Sequence, residues 1–301
     1  MDKFKIVTPC HFGVESVLKR EITDLGYDIV QVEDGRVTFE GDALAVCRAN
    51  VFLRTAERVM IQVGRVKATT YDQLFEAVKA LDWQKFIPVD GKFWVKKAGT
   101  VKSKLFSPSD IQRIVKKAIV EKLKMEYHES WFAEDGAEYP IRVFFYKDEA
   151  IIALDTSGES LHKRGYRENT SKAPISETLA AALIMLTPWN KDRILVDPFC
   201  GCGTFPIEAA MIAANIAAGM NREFTAENWT NFIDKKLWYT KRSGDPVYLP
   251  FPVRLHQRDL LSHHLPEQFP GDAPHGPPLH PGPAVWLPHP GGQVRPEKEQ
   301  H

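Results

Sequence analysis

The chain has 301 residues, a formal net charge of zero and 44% apolar residues, which favours two or three domains with hydrophobic cores. The neutral balance excludes nucleic-acid binding through bulk charge, so any basic surface must be local. Four cysteines are too few for a disulfide framework in a chain this long. The sequence shows no signal peptide and no apolar run of about 18 residues, which predicts a protein of the reducing cytoplasm without a membrane span.

Residues 1–66 are predicted to form a first module. Residues 4–8 suit a strand, and 13–25 place apolar side chains on one helical face before Gly26. Asp34-Gly35 marks a hairpin within 29–40, Asp42 begins a helix, and 57–66 alternate as a strand. Strand–helix–hairpin–helix–strand is close to a ferredoxin-like module.

Residues 67–156 are predicted to form a second α+β unit. Thr70 can cap a helix, and 93–97 suit a strand. Ser107-Pro108-Ser109-Asp110 has the capping Ser, the Pro and the acid of a helix start. Residues 141–154 then form a hairpin around Lys147-Asp148-Glu149.

Cations concentrate in this second unit, where they predict a surface for RNA phosphates. The alternative is an ordinary solvated helix face. The predicted RNA contacts of this unit are Lys96, Lys97, Lys102, Lys104, Arg113, Lys116 and Lys117.

A linker is predicted at 157–172, where Gly158 and Gly165 interrupt regular structure. Cations beside an aromatic ring suit phosphate contact with base stacking. The alternative is a plain linker whose arginines pair with acids. The predicted RNA contacts here are Lys163, Arg164, Tyr166 and Arg167.

A strand, a glycine turn and a helix are predicted around Asp197. Ile194–Val196 has the length of a buried strand, and an alanine-rich helix is expected over 206–217 with Gly219 as its stop. The turn has no third glycine at dinucleotide spacing and no Walker lysine. An acid at the strand end suits a ligand with an ammonium group and hydroxyls, such as S-adenosylmethionine, whereas the alternative is a ligand-free strand–turn–helix.

A helix is also predicted to begin at Ser176 or Pro174 ahead of that strand, with Leu179, Ala180, Leu183 and Ile184 as its buried stripe.

Three sequence runs resemble those of one enzyme family. They are D-x-S-G-x-x-L-x-x-R-G-Y-R from Asp155, A-P-I-x-E-x-L-A-A-A-L from Ala173, and D-P-F-C-G-C-G-T-x-x-I-E-A-A-M from Asp197. Together they resemble the THUMP-containing, class I S-adenosylmethionine-dependent rRNA guanine-N2 methyltransferases. The resemblance implies an α+β N-terminal half, ferredoxin-like plus THUMP, followed by an α/β Rossmann-like methyltransferase domain. Residues 173–245 would be the first part of that domain. It also implies methyl transfer to a guanine amine of large-subunit rRNA.

The resemblance assigns residues to the cofactor. Those implied at its methionine end are Asp197, Phe199, Cys200, Gly201 and Gly203. Thr204 would lie in the first turn of the following helix, and the 173–177 segment, with Pro174, Ile175 and Glu177, would close the pocket from the other side. No catalytic residue is assigned, and no metal is expected.

The last part of the chain departs from the family pattern. The family's N-P-P-Y or D-P-P-Y run, which binds the target amine and stacks on the flipped base, does not occur in this sequence, and Asp259 is a poor match for the acid that binds the ribose. Residues 246–301 hold 13 of the 21 prolines and 7 of the 10 histidines, so they predict an irregular, aberrant tail on an incomplete domain rather than βα units or a metal site. We therefore expect residues 165–240 to be loosely packed. The alternative function is that of an RNA-binding protein without transferase activity.

Overall fold

A computed structural model describes residues 3–167 and 174–239. Residue 239 is described by its backbone alone. Residue Ala173 and the predicted tail, 246–301, lie outside these described residues, as does Asp259.

Seven strands form one sheet in the order β2-β3-β1-β4-β7-β6-β5. The β5–β6 pair is parallel and every other pair is antiparallel. The strands are β1 (Phe4–Pro9), β2 (Ile29–Glu33), β3 (Arg36–Gly41), β4 (Met60–Lys67), β5 (Lys92–Val101), β6 (Glu138–Tyr146) and β7 (Glu149–Asp155).

Six α-helices accompany this sheet in the described residues. They are α1 (Glu15–Asp24), α2 (Ala43–Phe52), α3 (Tyr71–Lys79), α4 (Pro108–Tyr127), α5 (Glu177–Leu186) and α6 (Thr204–Ala213). Short 3-10 helices span Trp83–Lys85, Thr225–Asn228 and Lys235–Tyr239.

Local capping residues define the starts of four helices as predicted. The side chains of Asp42, Thr70, Ser107 and Ser176 each accept a hydrogen bond from the backbone N–H three residues later. Pro108 stands at the first turn of α4, where its missing N–H costs nothing. These helix starts follow from side-chain chemistry within a single turn of chain.

The two predicted N-terminal units share the sheet. The order β1-α1-β2-β3-α2-β4 reproduces the ferredoxin-like succession, and β4 then pairs with β7 from Met60↔Asp155 to Lys67↔Glu149. Because this antiparallel ladder joins one unit to the next, backbone hydrogen bonds run without a break across all seven strands.

The prediction of a strand at Ile194–Val196 is wrong. The structure has no strand there, and Ile194 and Val196 are 92% and 78% exposed. A strand needs a partner for its N–H and C=O groups, and the described residues offer none at this position. The following helix is also shorter than predicted, because it ends at Ala213 rather than Ala217.

The buried stripe of α5 differs from the prediction too. Ala180 and Ile184 are buried as expected, but Leu183 is 39% exposed, and Ala181 and Ala182 are buried in its place. The small alanines allow α5 to approach its neighbours closely.

The segment 214–239 packs against the N-terminal half. Trp229 is fully buried, stacks on Tyr139 at 5.0 Å between ring centroids, and donates its indole N–H to the Glu138 carbonyl at 2.7 Å. Ile233 is also fully buried. The expected loose packing is therefore wrong for this part of the chain.

Candidate cofactor site and RNA surface

The turn before α6 leaves its backbone accessible. Gly201 and Gly203 adopt left-handed φ angles of 54° and 77°, which glycine tolerates best. The Gly203 N–H donates to the Cys200 carbonyl at 2.8 Å, which closes the turn. A Cβ on Gly201 would meet no atom within 4 Å, so a ligand could approach the backbone at this point.

Arg167 links this turn to the segment before α5. Its Nη2 donates to Thr204 Oγ1 at 2.7 Å and to the Ile175 carbonyl at 3.5 Å, and its Nε lies 3.4 Å from Glu177 Oε1. Three residues predicted to hold the cofactor thus converge on one guanidinium. Arg167 itself was predicted to contact RNA, whereas here it bridges two segments of the predicted cofactor site.

Glu177 has a buried oxygen available for a ligand donor. The residue is 3% exposed, and its Oε2 accepts no hydrogen bond within the described ranges. Burial raises the pKa of this carboxyl, although the nearby Arg167 and His162 act in the opposite direction. A buried acceptor without a donor is costly, and the ammonium group of S-adenosylmethionine is a donor of the required kind.

The other residues predicted for the cofactor lie apart from Glu177. Phe199 is 93% exposed, Cys200 is exposed, and the Phe199 N–H donates to Asp197 Oδ1 at 3.1 Å. Asp197 lines a cavity of about 300 Å³ beside α5, whereas Pro174 and Glu177 line one of about 800 Å³ next to the linker. The structure therefore brings together only part of the predicted set.

Arg164 and Tyr166 are buried rather than facing RNA. Arg164 is 2% exposed and lies 3.4 Å from Glu208 Oε1, to which the Tyr166 hydroxyl donates at 3.0 Å. Glu208 is fully buried on α6. The predicted RNA role of these two residues disagrees with this burial, and the alternative interpretation, arginines paired with acids, fits better. A single acid within the apolar run of α6 was the sequence signal for this ion pair.

Glu57 joins three parts of the chain, and sequence reasoning missed it. Its carboxylate accepts from Thr178 Oγ1 and from Ser160 Oγ at 2.9 Å, and it lies 3.2 Å from His11 Nε2 and 3.5 Å from His162 Nδ1. Burial alone would raise its pKa, but the hydrogen bonds from His162, Thr178 and Ser160 outweigh burial and lower the pKa to about 2. The N-terminal turn of α5 is thereby tied to the first module.

Arg222 holds the linker by its backbone, and it was also missed. Its guanidinium donates to the carbonyls of Ser157, Glu159, Ser160 and Lys163 at 2.6–3.2 Å. Charge-assisted bonds to backbone groups leave no simple sequence pattern, because their acceptors are carbonyls that every residue has.

Comparisons with known proteins identify the domains. Three family models match in order: the RlmL ferredoxin-like domain over residues 5–60, the THUMP domain over 68–155, and the RMKL-like methyltransferase domain over 164–255. The chain carries these three domains. The resemblance to THUMP-containing methyltransferases is thereby confirmed, as is the predicted fold class, an α+β N-terminal half followed by an α/β methyltransferase domain. The exact domain boundaries stay predictions.

Close relatives agree with this assignment. "Putative RNA methyltransferase YpsC" of Bacillus subtilis (strain 168) is 53% identical over 244 residues, which cover 80% of this chain and 63% of that protein. The structure of a "predicted N6-adenine-specific DNA methylase" from Listeria monocytogenes str. 4b F2365 has a TM-score of 0.76 at 49% identity, covering 79% of this chain and 62% of that one. SMU.472, solved in complex with SAH, has a TM-score of 0.75 at 45% identity, covering 79% and 63%. The chain thus spans less than two thirds of the length of these relatives.

Most predicted cations of the THUMP domain already have partners. Arg113 pairs with Asp110 at 3.0 Å, and Lys116 pairs with Glu134 at 3.5 Å. Lys117 lies over the Phe75 ring at 5.7 Å, and the Lys96 ammonium donates to the Gly158 carbonyl at 3.2 Å. Lys97, Lys102 and Lys104 are exposed and form no ion pair with a described residue, and Lys163 pairs with Glu159 at 3.7 Å on the surface.

The described ranges hold neither a metal-binding cluster nor a membrane-spanning helix. No group of three or more His, Cys, Asp or Glu side chains there could hold a metal ion. No helix that the structure describes combines the length and the apolar character needed to cross a membrane.

Proposed function

We propose that this chain is the RNA- and cofactor-binding part of an S-adenosylmethionine-dependent RNA methyltransferase. The observation that carries the proposal is the Arg167 bridge, which joins Thr204 beside the glycine turn to Ile175 and Glu177. This bridge lies in the segment that matches the methyltransferase domain. The relative SMU.472 was solved with SAH, the demethylated product of such a cofactor.

In the proposed site, different chain segments contact different groups of the cofactor. The glycine turn, with Gly201 and Gly203, would lie against the methionine end of the cofactor. Asp197, Phe199 and Cys200 stay predicted contacts at this end, although Asp197 and Glu177 line separate cavities. Glu177 Oε2 would accept a hydrogen bond from the ammonium group, with Pro174 and Ile175 beside it. When bound, the cofactor supplies an electrophilic methyl group, and the chain contributes its orientation.

The proposed substrate is RNA, and more narrowly a guanine amine of large-subunit rRNA. The THUMP match and the name of the Bacillus relative support RNA, and the narrower assignment rests on the resemblance of the three sequence runs. The Listeria relative is named for DNA adenine, so a transfer assay must compare both nucleic acids. A cytoplasmic location stays a prediction.

An RNA-binding protein without transferase activity is the second candidate. The specific observation in its favour is that N-P-P-Y or D-P-P-Y, which would hold the target amine, does not occur in this sequence. Tritium transfer from labelled S-adenosylmethionine to undermethylated ribosomal RNA separates the two functions. Stoichiometric transfer by this chain would exclude the second candidate.

Cofactor binding is tested by calorimetry with S-adenosylmethionine and SAH. We expect Gly201→Val and Gly203→Val to lower the affinity at least tenfold, because a branched side chain would occupy the space beside the turn. Gly26→Val is the matched control, since Gly26 also has a positive φ, 86°, and open space around its Cβ position. Unchanged affinity in a folded Gly201→Val variant would contradict the site.

A further inference from the structure

The carboxyl ends of the parallel strands β5 and β6 form one surface. Val101 pairs with Tyr146 in the strand register, and the Lys147 N–H donates to the Val101 carbonyl at 3.2 Å. The turn after β5 and the turn between β6 and β7 therefore lie side by side. We name this surface the aromatic tip and define it as Val101, Lys102, Lys104, Phe106, Tyr146 and Lys147.

Hydrogen bonds hold the aromatic tip in a defined shape. The Lys104 N–H donates to Asp148 Oδ1 at 2.6 Å, and the Asp148 N–H donates to Ser103 Oγ at 3.0 Å. The Thr100 hydroxyl donates to the carbonyl of Leu105, whose side chain is buried in the core. A preformed surface loses little conformational entropy when a ligand binds.

The aromatic tip exposes apolar groups that have no visible role in folding. Phe106 is 78% exposed, Val101 is 56% exposed and Tyr146 is 42% exposed. The Lys147 ammonium lies 5.1 Å from the centroid of the Tyr146 ring. Exposed apolar side chains on two turns that lie side by side mark a surface where a partner can bind.

The charges of the aromatic tip are positive and unpaired. Lys102, Lys104 and Lys147 are exposed and form no ion pair with any residue that the structure describes. The neighbouring acid, Asp148, already accepts the Lys104 backbone N–H. On α4, in contrast, Arg113, Lys116 and Lys122 are paired with Asp110, Glu134 and Glu126. Lys117 and Lys124 are the other two lysines of α4 without an ion pair to a described residue, and Lys117 lies over the Phe75 ring. The tip thus holds three such lysines on two adjacent turns.

We infer that the aromatic tip binds a segment of RNA with unpaired bases. Phe106 and Tyr146 stack on the bases, and the three lysines contact the phosphates on either side. Rings interleaved with free cations match an anionic chain of aromatic units, whereas bases inside a duplex are already stacked on one another. The inference rests on the proposed RNA substrate, and it places the contact at a surface distinct from the α4 face.

The inference is tested by fluorescence anisotropy of the full chain. The labelled ligands are a single-stranded oligoribonucleotide of about 20 nucleotides and the duplex of the same sequence. Phe106→Ala should weaken binding of the single strand about fivefold or more, as loss of one stacked base predicts. The triple variant Lys102→Ala, Lys104→Ala, Lys147→Ala should weaken binding and lower the slope of log affinity against log salt by about 2.

Matched controls come from the same domain. Trp131→Ala removes a ring that is 74% exposed in the connection between α4 and β6. Lys79→Ala, Lys85→Ala, Lys92→Ala removes the same charge from positions of this domain that were not predicted to contact RNA. Both should change the affinity less than twofold, and thermal melts verify that each variant is folded. The inference is overturned if the tip variants bind RNA like the parent, or if the duplex binds as tightly as the single strand. If the parent binds SAH but neither RNA, the proposed RNA substrate fails, and the inference fails with it.

Discussion

Glu57 shows how one side chain can connect domains that are far apart in sequence. Its carboxylate receives contacts from His11 in the first module, from Ser160 and His162 in the linker, and from Thr178 in α5. Each partner stabilises the ionised form, so the pKa falls from 4.5 to about 2. The connection therefore depends on pH.

We predict that Glu57 stabilises the folded chain above pH 4.5 and loses this effect as the pH falls towards 2. A depressed carboxyl pKa means that the unfolded state binds the proton first, which gives this direction. The full shift corresponds to about 3 kcal/mol, and screening of a partly exposed group reduces it to roughly 1–2 kcal/mol. Urea unfolding of the parent and Glu57→Gln at pH 7 and pH 3 measures it: the difference in unfolding free energy should shrink at pH 3.

Glu159→Gln is the control for this experiment. Its carboxylate lies 3.7 Å from Lys163, and both side chains are more than half exposed, so this substitution should change stability little at either pH. A Glu57→Gln effect that is the same at pH 3 as at pH 7 would contradict the role assigned to the carboxylate.

At the scale of elements, two linker glycines allow the backbone to lie against a neighbouring segment. Gly165 has a φ of 90°, and a Cβ there would clash with the Asn221 carbonyl. Gly158 has a φ of 78°, and a Cβ there would clash with the side-chain hydroxyl of Thr225. The backbone of the linker therefore lies directly against the 221–225 segment, which Arg222 also joins to it.

We predict that Gly165→Ala costs clearly more stability than Gly13→Ala. Both glycines have a similar φ, 90° and 87°, so both substitutions incur a left-handed penalty of about 1 kcal/mol. The Cβ at Gly13 would meet no atom within 4 Å, and only Gly165→Ala adds a backbone clash. The difference between their urea midpoints isolates that close approach, and equal midpoints would show that the linker can shift away.

The local sequence predicted where the helices begin, but it did not predict which linker side chains are buried. Asp42, Thr70, Ser107 and Ser176 cap as expected because a cap is chemistry within one turn. Arg164 and Tyr166 were misplaced because their burial depends on Glu208, more than 40 residues later. The strand at Ile194 failed for the same reason, since its pairing requires a neighbouring strand that a local apolar run does not specify.

At the scale of the whole molecule, the 214–239 segment connects the methyltransferase part to the THUMP sheet. Its aromatic residues contact both units of the N-terminal half: Trp229 lies on Tyr139 of β6, and Phe232 lies 5.9 Å from Phe4 of β1 and 5.7 Å from Phe86. The relative orientation of the parts is thus fixed by core packing rather than by the linker alone.

We predict that Trp229→Ala destabilises the chain by about 3–5 kcal/mol, since it removes a fully buried ring and the donor to the Glu138 carbonyl. Trp131→Ala, which truncates a ring that is 74% exposed, should change stability by less than about 0.5 kcal/mol. Thermal unfolding with parallel limited proteolysis measures both. The parent should keep Trp229 within its resistant fragment, and rapid cleavage between 214 and 229 in the parent would contradict the packing.

The β4–β7 ladder has a consequence for the order in which the chain is made. β4 ends at Lys67 and its partner begins at Glu149, so about 80 further residues must leave the ribosome before the ladder can close. At roughly 5–20 residues per second, this leaves β4 as an open edge for about 4–16 seconds. An unpaired edge can pair with a neighbouring nascent chain. The yield of folded protein should therefore depend on the translation speed between codons 67 and 149. Slower codons in this range should increase the aggregated fraction.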